Sequence, residues 1–173
     1  MAVPAPLLPA DEDPSFAELI AGRPHLSAHA MDGLVMEEVP LARIAREVGT
    51  PTWVYSAGAL RARHRALDSA LREAGVPAEI HFAMKANPNL AVLRVMRGCG
   101  AGADVVSGGE LRIAQAAGID PAHIVFSGVG KTADEIRVAL AAGVGQLNAE
   151  SVEEIAVISS VAAAMGAAAP VAL

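Results

Sequence analysis

A lysine closes the apolar run Ala78-Glu-Ile-His81-Phe-Ala83-Met-Lys85, and Ala-Asn87-Pro88-Asn89 follows at once as a turn signal. The run suits a buried strand, which would place the Lys85 amine at a strand's carboxyl end. Burial there favours a neutral amine, and a neutral amine is a nucleophile towards aldehydes, so Schiff-base chemistry is available. The plainer alternative is a strand-end lysine reaching into solvent. Other groups with chemical capacity recur at comparable positions: Asp104 in Ala103-Asp-Val-Val, then Ser107-Gly108-Gly109-Glu110, Ser127-Gly128, and Asn148 with Glu150 and Ser151. A carboxylate inside an apolar strand is costly unless paired, and Lys85 on the adjacent strand is the expected partner of Asp104. Glu110 lies three residues after Ser107, so it either completes a capping box or contacts a site. Residues two apart on a strand share a face, so His81, Ala83 and Lys85 are expected to point inward together, with Ala83 leaving room for a flat ligand. His81 would then sit deepest, as a packed structural histidine.

These groups have to be positioned by regular elements. Apolar strand candidates fall at 79–84, 103–106, 123–126, 144–148 and 170–173, separated by helical patterns at 90–97, 108–117, 132–142 and 151–165. The strand–helix unit recurs about every twenty-odd residues, as in parallel βα folds. No Gly-x-Gly-x-x-Gly follows a strand, and Gly128-Val-Gly130-Lys131-Thr132 lacks the upstream glycine of a phosphate loop. A (β/α)8 TIM barrel is therefore expected over a nucleotide-binding sheet, with the polar groups above gathered on its carboxyl-end rim. About four βα units and the start of a fifth strand are present, so the barrel is partial and the chain reads as an incomplete piece.

Upstream, residues 1–30 give no clear fold signal and read as an irregular extension. The proline-rich start, Met1 to Pro9, lacks the positive region of a signal peptide. Residues 31–55 read as a separate lead-in segment: a strand at Leu34-Val-Met36, a helical stripe at 41, 44, 45 and 48 closed by Gly49, and a strand at Thr52-Trp-Val-Tyr55. From Ser56, which can cap it, a helix runs to about Ala74 with Leu60, Leu67, Leu71 and Ala74 inward, and 56–173 forms the first half of the barrel.

Of 173 residues, 53% are apolar, too many for a disordered chain, while the aromatic share of 3% leaves packing to many small contacts. A net charge of −6 argues against nucleic acid, and the one basic cluster, Arg61-Ala-Arg63-His64-Arg65, suits a solvated helix face. Cys99 is the only cysteine, which excludes an internal disulfide and fits a reducing, cytoplasmic setting. Ile155 to Leu173 lacks charge, but its alanines, Ser159, Ser160 and Pro170 favour a buried helix and strand over a membrane span.

Phe82-Ala-Met-Lys85-Ala-Asn, Gly102-Ala-Asp-Val-Val-Ser-Gly-Gly-Glu110, Phe126-Ser-Gly-Val-Gly-Lys-Thr132 and Leu147-Asn-Ala-Glu-Ser151 occur in that order, after Leu41-Ala-Arg-Ile-Ala-Arg-Glu-Val-Gly-Thr-Pro-Thr-Trp-Val-Tyr-Ser56. Together, across 32–173, they resemble the amino-terminal half of the diaminopimelate decarboxylase family. The resemblance implies an alanine-racemase-like fold and a pyridoxal 5′-phosphate enzyme that converts meso-2,6-diaminopimelate to L-lysine and CO2. By motif position Lys85 resembles the lysine that holds the cofactor, Ala83 and Asp104 match positions beside it, and Glu110 matches an acid near the site. It also implies parts absent from this stretch: an arginine beyond Leu173, the histidine that stacks on the cofactor, the phosphate loop, the acid facing the ring nitrogen, and a second domain with a cysteine from the dimer partner. We therefore expect a homodimeric parent acting on a small amino acid, and an isolated chain without activity. A related ornithine or arginine decarboxylase, a non-catalytic homologue that binds the cofactor, and a ligand-free fragment are the competing readings.

Overall fold

The computed structural model describes residues 15–173, and the chain divides into two units, one ending at Ala59 and one spanning Leu60–Leu173. The expectation for Met1 to Pro9 lies outside the described residues.

In the first unit, α1 (Phe16–Ile20) starts at a capping box in which the Ser15 hydroxyl accepts from Glu18 N and the Glu18 carboxylate accepts from Ser15 N. β1 (Leu26–His29), β2 (Gly33–Met36) and β3 (Val39–Pro40) form an antiparallel sheet in that order. Residues 15–29 are thus not irregular. β1 reads Leu-Ser-Ala-His, an alternation only four residues long and without β-branched residues, and its strand character comes from pairing with β2. α2 (Leu41–Val48) stands where its stripe placed it and stops at Gly49, whose φ of +94° suits glycine alone. Thr52–Tyr55 is not a strand. Trp53 is 88% exposed, and high β-propensity without a partner strand does not make one.

α3 (Ala57–Glu73) follows Ser56, whose hydroxyl accepts from Ala59 N at 2.8 Å. Its covered stripe is Leu60, His64 and Leu71; Leu67 is 51% exposed and Ala74 is exposed, contrary to the expected face. The stripe advances by i+4 steps from Leu60, so a histidine takes the place assigned to leucine.

The second unit alternates strand and helix: β4 (His81–Ala83), α4 (Leu90–Gly98), β5 (Gly102–Val105), α5 (Gly108–Ala116), β6 (Ile124–Phe126), α6 (Ala133–Ala142), β7 (Gln146–Asn148), α7 (Val152–Met165) and β8 (Val171–Ala172). All five strands are parallel and lie in sequence order, an open α/β arc of a barrel. One face of the sheet is dry. Ala103, Val105, Ile124, Phe126 and Leu147 are fully buried and cluster with Leu93, Leu111, Ile136 and Ile158 from the helices. No helix among the described residues is long and apolar enough to cross a membrane, and the uncharged run from Ile155 is the end of α7 followed by β8.

Two glycines enter strands where nothing larger fits. A Cβ on Gly145 would stand 2.1 Å from the Ala122 carbonyl oxygen, and one on Gly102 would stand 2.3 Å from that of His123. Both lie at the amino-end side of the sheet, away from the polar rim.

Candidate active site

The face of the sheet turned from the helices carries a different chemistry. His81, Ala83, Asp104, Val125, Ser127, Gln146 and Asn148 are all half-buried. Register explains their grouping: Ala83 pairs with Asp104, Asp104 with Val125, and Val125 with Gln146, so alternation puts them on one side. Across this face the Ser127 hydroxyl donates to Asp104 Oδ1, Asn148 Nδ2 donates to Ser127 Oγ at 3.0 Å, and Gln146 Nε2 donates to Asn148 Oδ1 at 2.7 Å.

Lys85 stands at the carboxyl end of β4, yet not as a buried strand residue. The strand stops at Ala83, and Met84–Ala86 form a single 3-10 turn in which Met84 is fully buried and Lys85 is exposed. The turn swings the lysine off the strand direction, so simple alternation no longer places it beside Ala83. The expected Lys85–Asp104 pair is not formed: among the described residues the Lys85 amine has no hydrogen bond or ion pair, and Ser127 satisfies Asp104 instead. An acid in an apolar strand does need a partner; here that partner is a hydroxyl from the next strand.

Glu110 works as a turn brace. Its carboxylate accepts from Val106 N at 2.8 Å, and its own N–H donates to the Ser107 hydroxyl at 3.2 Å. Of the two roles open to it, the structure displays capping of α5, with the return bond one residue earlier than in a strict capping box. Glu135, from the first turn of α6, reaches the same helix: it accepts from Gly108 N at 2.9 Å and from Thr132 N at 3.0 Å. The Gly108 bond, then those to Thr132, hold its carboxyl below the usual carboxylate range. His81 is set near the amino end, its ring against Gly102, with Nε2 3.7 Å from Glu79 and Nδ1 buried with no hydrogen-bond partner among the described residues. Glu79 also bonds His123.

Lys131 is the residue that sequence reasoning missed. Its side chain is 0% exposed, and its ammonium donates to Gly128 O at 2.6 Å and Asn148 O at 2.7 Å and lies 3.1 Å from Glu154 Oε1. Its place in Gly128-Val-Gly130-Lys131-Thr132 was visible in the sequence, but its partner Glu154 stands in the first turn of α7, one βα unit further on, and no local spacing links the two. Gln146 was missed as well, because a glutamine inside a strand carries no distinctive pattern.

An aldehyde cofactor needs an amine that no internal partner occupies, with space and polar groups beside it. Lys85 supplies an exposed amine with no partner among the described residues, and Ala83, Asp104 and Ser127 supply a small side chain and polar groups at the same end of the sheet; these residue types fit such a group.

The chain matches the family model described as "Pyridoxal-dependent decarboxylase, pyridoxal binding domain" over residues 57–173. A diaminopimelate decarboxylase of Pseudomonas aeruginosa is 53% identical over 140 residues, 81% of this chain and 33% of the relative. A crystal structure from Aquifex aeolicus superposes with a TM-score of 0.82 at 38% identity, covering 89% of this chain and 37% of that one. The diaminopimelate decarboxylase of M. jannaschii, solved in co-complex with L-lysine, gives 0.78 at 32% identity over 87% of this chain and 36% of its own. The chain thus spans about a third of the length of the curated relatives it matches. The ordered rim residues, the partial (β/α)8 barrel and the match across 57–173 together make this chain a member of the pyridoxal-dependent decarboxylase family, matched in its pyridoxal-binding domain.

Proposed function

We propose that the whole protein to which this chain contributes removes the carboxylate of meso-2,6-diaminopimelate to give L-lysine and CO2, with pyridoxal 5′-phosphate held at Lys85. The observation that carries the reading is the Lys85 amine, without a partner among the described residues at the carboxyl end of β4, within the segment matched to the pyridoxal-binding model. Diaminopimelate decarboxylase relatives at up to 53% identity support the substrate, as does the L-lysine bound to the M. jannaschii protein. When bound, pyridoxal phosphate acts as an electron sink for the pair left behind when a carboxylate departs.

The residues of this chain have simpler tasks. Lys85 supplies an exposed amine, the nucleophile for a carbonyl carbon. Asp104 offers a fixed negative charge beside Ala83, and the small Ala83 side chain leaves room for a flat ring. Glu110 holds the β5–α5 turn behind them. We assign Lys85 as catalytic and cofactor-binding, with Ala83, Asp104 and Glu110 as further cofactor-site positions, in a cytoplasmic homodimer acting on a small amino acid.

The test has two arms. Borohydride reduction of the whole protein with pyridoxal phosphate, followed by peptide mass mapping, is expected to place the cofactor mass on Lys85 and on no peptide of Lys85→Ala. Incubation with meso-diaminopimelate, ornithine and arginine is expected to release CO2 from the first alone. Release from ornithine or arginine instead would assign the protein to a sister activity, and capture without release from any substrate would mark a non-catalytic binder.

A further inference from the structure

The bonds across the open face run in one direction. Gln146 donates to Asn148, Asn148 to Ser127, and Ser127 to Asp104. Chemistry imposes that order. A carboxylate oxygen accepts, so the single Ser127 proton is directed at Asp104. The serine oxygen must then accept, which requires the amide NH2 of Asn148 and leaves the Asn148 carbonyl oxygen for Gln146. Both amide orientations follow from the acid at the end of the ladder.

The ladder is not needed to hold the strand ends together, because Lys131 already ties the Gly128 and Asn148 carbonyls and Glu154. All four ladder residues are half-buried rather than sealed in the core. Asp104 Oδ2, in turn, makes no hydrogen bond among the described residues. Asp104 is paired in register with Ala83, two residues before Lys85.

We propose that Ser127 and Asn148 are positioning residues for Asp104: they anchor one carboxylate oxygen so that the other is held for a protonated nitrogen at the Lys85 end of β4. The proposal rests on the reading of Lys85 as the cofactor-bearing lysine. Ser127 and Asn148 act through Asp104 and touch no reacting atom themselves. A protonated nitrogen that loses a fixed anion gives up its proton more readily, so loosening Asp104 lowers the pH at which that nitrogen titrates.

The experiment uses the whole protein freed of cofactor and titrated with pyridoxal 5′-phosphate, comparing Ser127→Ala, Ser127→Thr, Asn148→Ala and Lys85→Ala. The readouts are the cofactor dissociation constant and the pH midpoint of its visible absorbance, with far-UV circular dichroism as the control for folding. Ser127→Ala is expected to weaken binding about tenfold, the scale of one hydrogen bond to a charged group, and to move the midpoint to lower pH. Asn148→Ala should shift both readouts the same way by less, and Ser127→Thr should restore them. An unmoved midpoint in Ser127→Ala overturns the proposal whether or not binding weakens, since binding loss alone marks a structural role. A threonine variant as impaired as the alanine variant also overturns it. Should Ser127→Ala fail to fold, the midpoint of Asn148→Ala decides. Lys85→Ala separates the two levels: visible absorbance retained there defeats the Lys85 reading itself, whereas absorbance lost there with an unmoved Ser127→Ala midpoint defeats the ladder alone.

Discussion

Lys85 and Lys131 both follow the ends of parallel strands, β4 and β6, and their amines meet opposite fates. Lys131 is fully enclosed, bound to two main-chain carbonyls and a glutamate; Lys85 is exposed with no partner among the described residues. Parallel strands present carbonyls at their carboxyl ends, and an ammonium that reaches them becomes a structural cation with three bonds satisfied. Such an amine has no lone pair to offer. The one swung outward by the Met84–Ala86 turn keeps its chemistry available. Sequence context decides which is which: Gly128, at a φ of +95°, turns the chain after β6 so that its carbonyl meets the Lys131 amine, whereas Asn87-Pro88-Asn89 leads from the Lys85 turn into α4, capped by the Asn89 side chain.

The contrast can be broken most decisively at Lys85. Lys85→Ala should abolish covalent cofactor capture outright while changing stability by less than about 0.5 kcal/mol, as for other exposed substitutions; reductive labelling and urea unfolding read the two halves. Competitive labelling of the cofactor-free protein with a lysine-acylating reagent should modify Lys85 roughly a hundredfold faster than Lys131, which reacts only after local opening. Equal rates, read by peptide mass spectrometry, would erase the distinction. Lys131→Met should cost about 3 kcal/mol, because Glu154 is left buried without its cation, and Lys131→Met combined with Glu154→Met should recover much of that. A Lys131→Met protein as stable as the parent in urea would show the triple contact to be ornamental.

The alternation of strands and helices was legible because parallel strands are continuous apolar runs and the helices begin at Ser107, Thr132 and Ser151, each of which accepts from the backbone three residues on. The rim residues were legible for the same reason: strand ends locate them. What was not legible depended on partners distant in the chain. Asp104 was paired with the wrong group because the choice between Lys85 and Ser127 rests on a one-turn distortion after Ala83. β1 was invisible until β2 lay beside it, and the 52–55 segment looked like a strand because propensity is blind to the absence of a neighbour. Leu67 was assigned inward from a leucine periodicity that His64 in fact interrupts.

The smallest predicted effect concerns the turns behind the rim. The Glu135 carboxyl is held below its ordinary value of 4.5 by the Gly108 N–H and by Thr132, so its contribution is complete above that value and is lost as pH falls through the lower folded value. Glu135→Gln should therefore cost roughly 1 kcal/mol at neutral pH after allowance for its partial exposure, and that difference should vanish in strong acid. A difference that persists at low pH in urea unfolding would assign the loss to packing rather than charge.

Asn148 belongs to both systems through different atoms, its carbonyl to Lys131 and its side-chain amide to Ser127. Divergence towards new substrates is therefore channelled. Descendants can vary Ser127 or Gln146 and retune the acid while the scaffold stands, but drift at Asn148 that disturbs its backbone also loosens the clamp on two strand ends. A position under that double constraint should change late in a lineage, and only after the lysine and glutamate beneath it have been replaced.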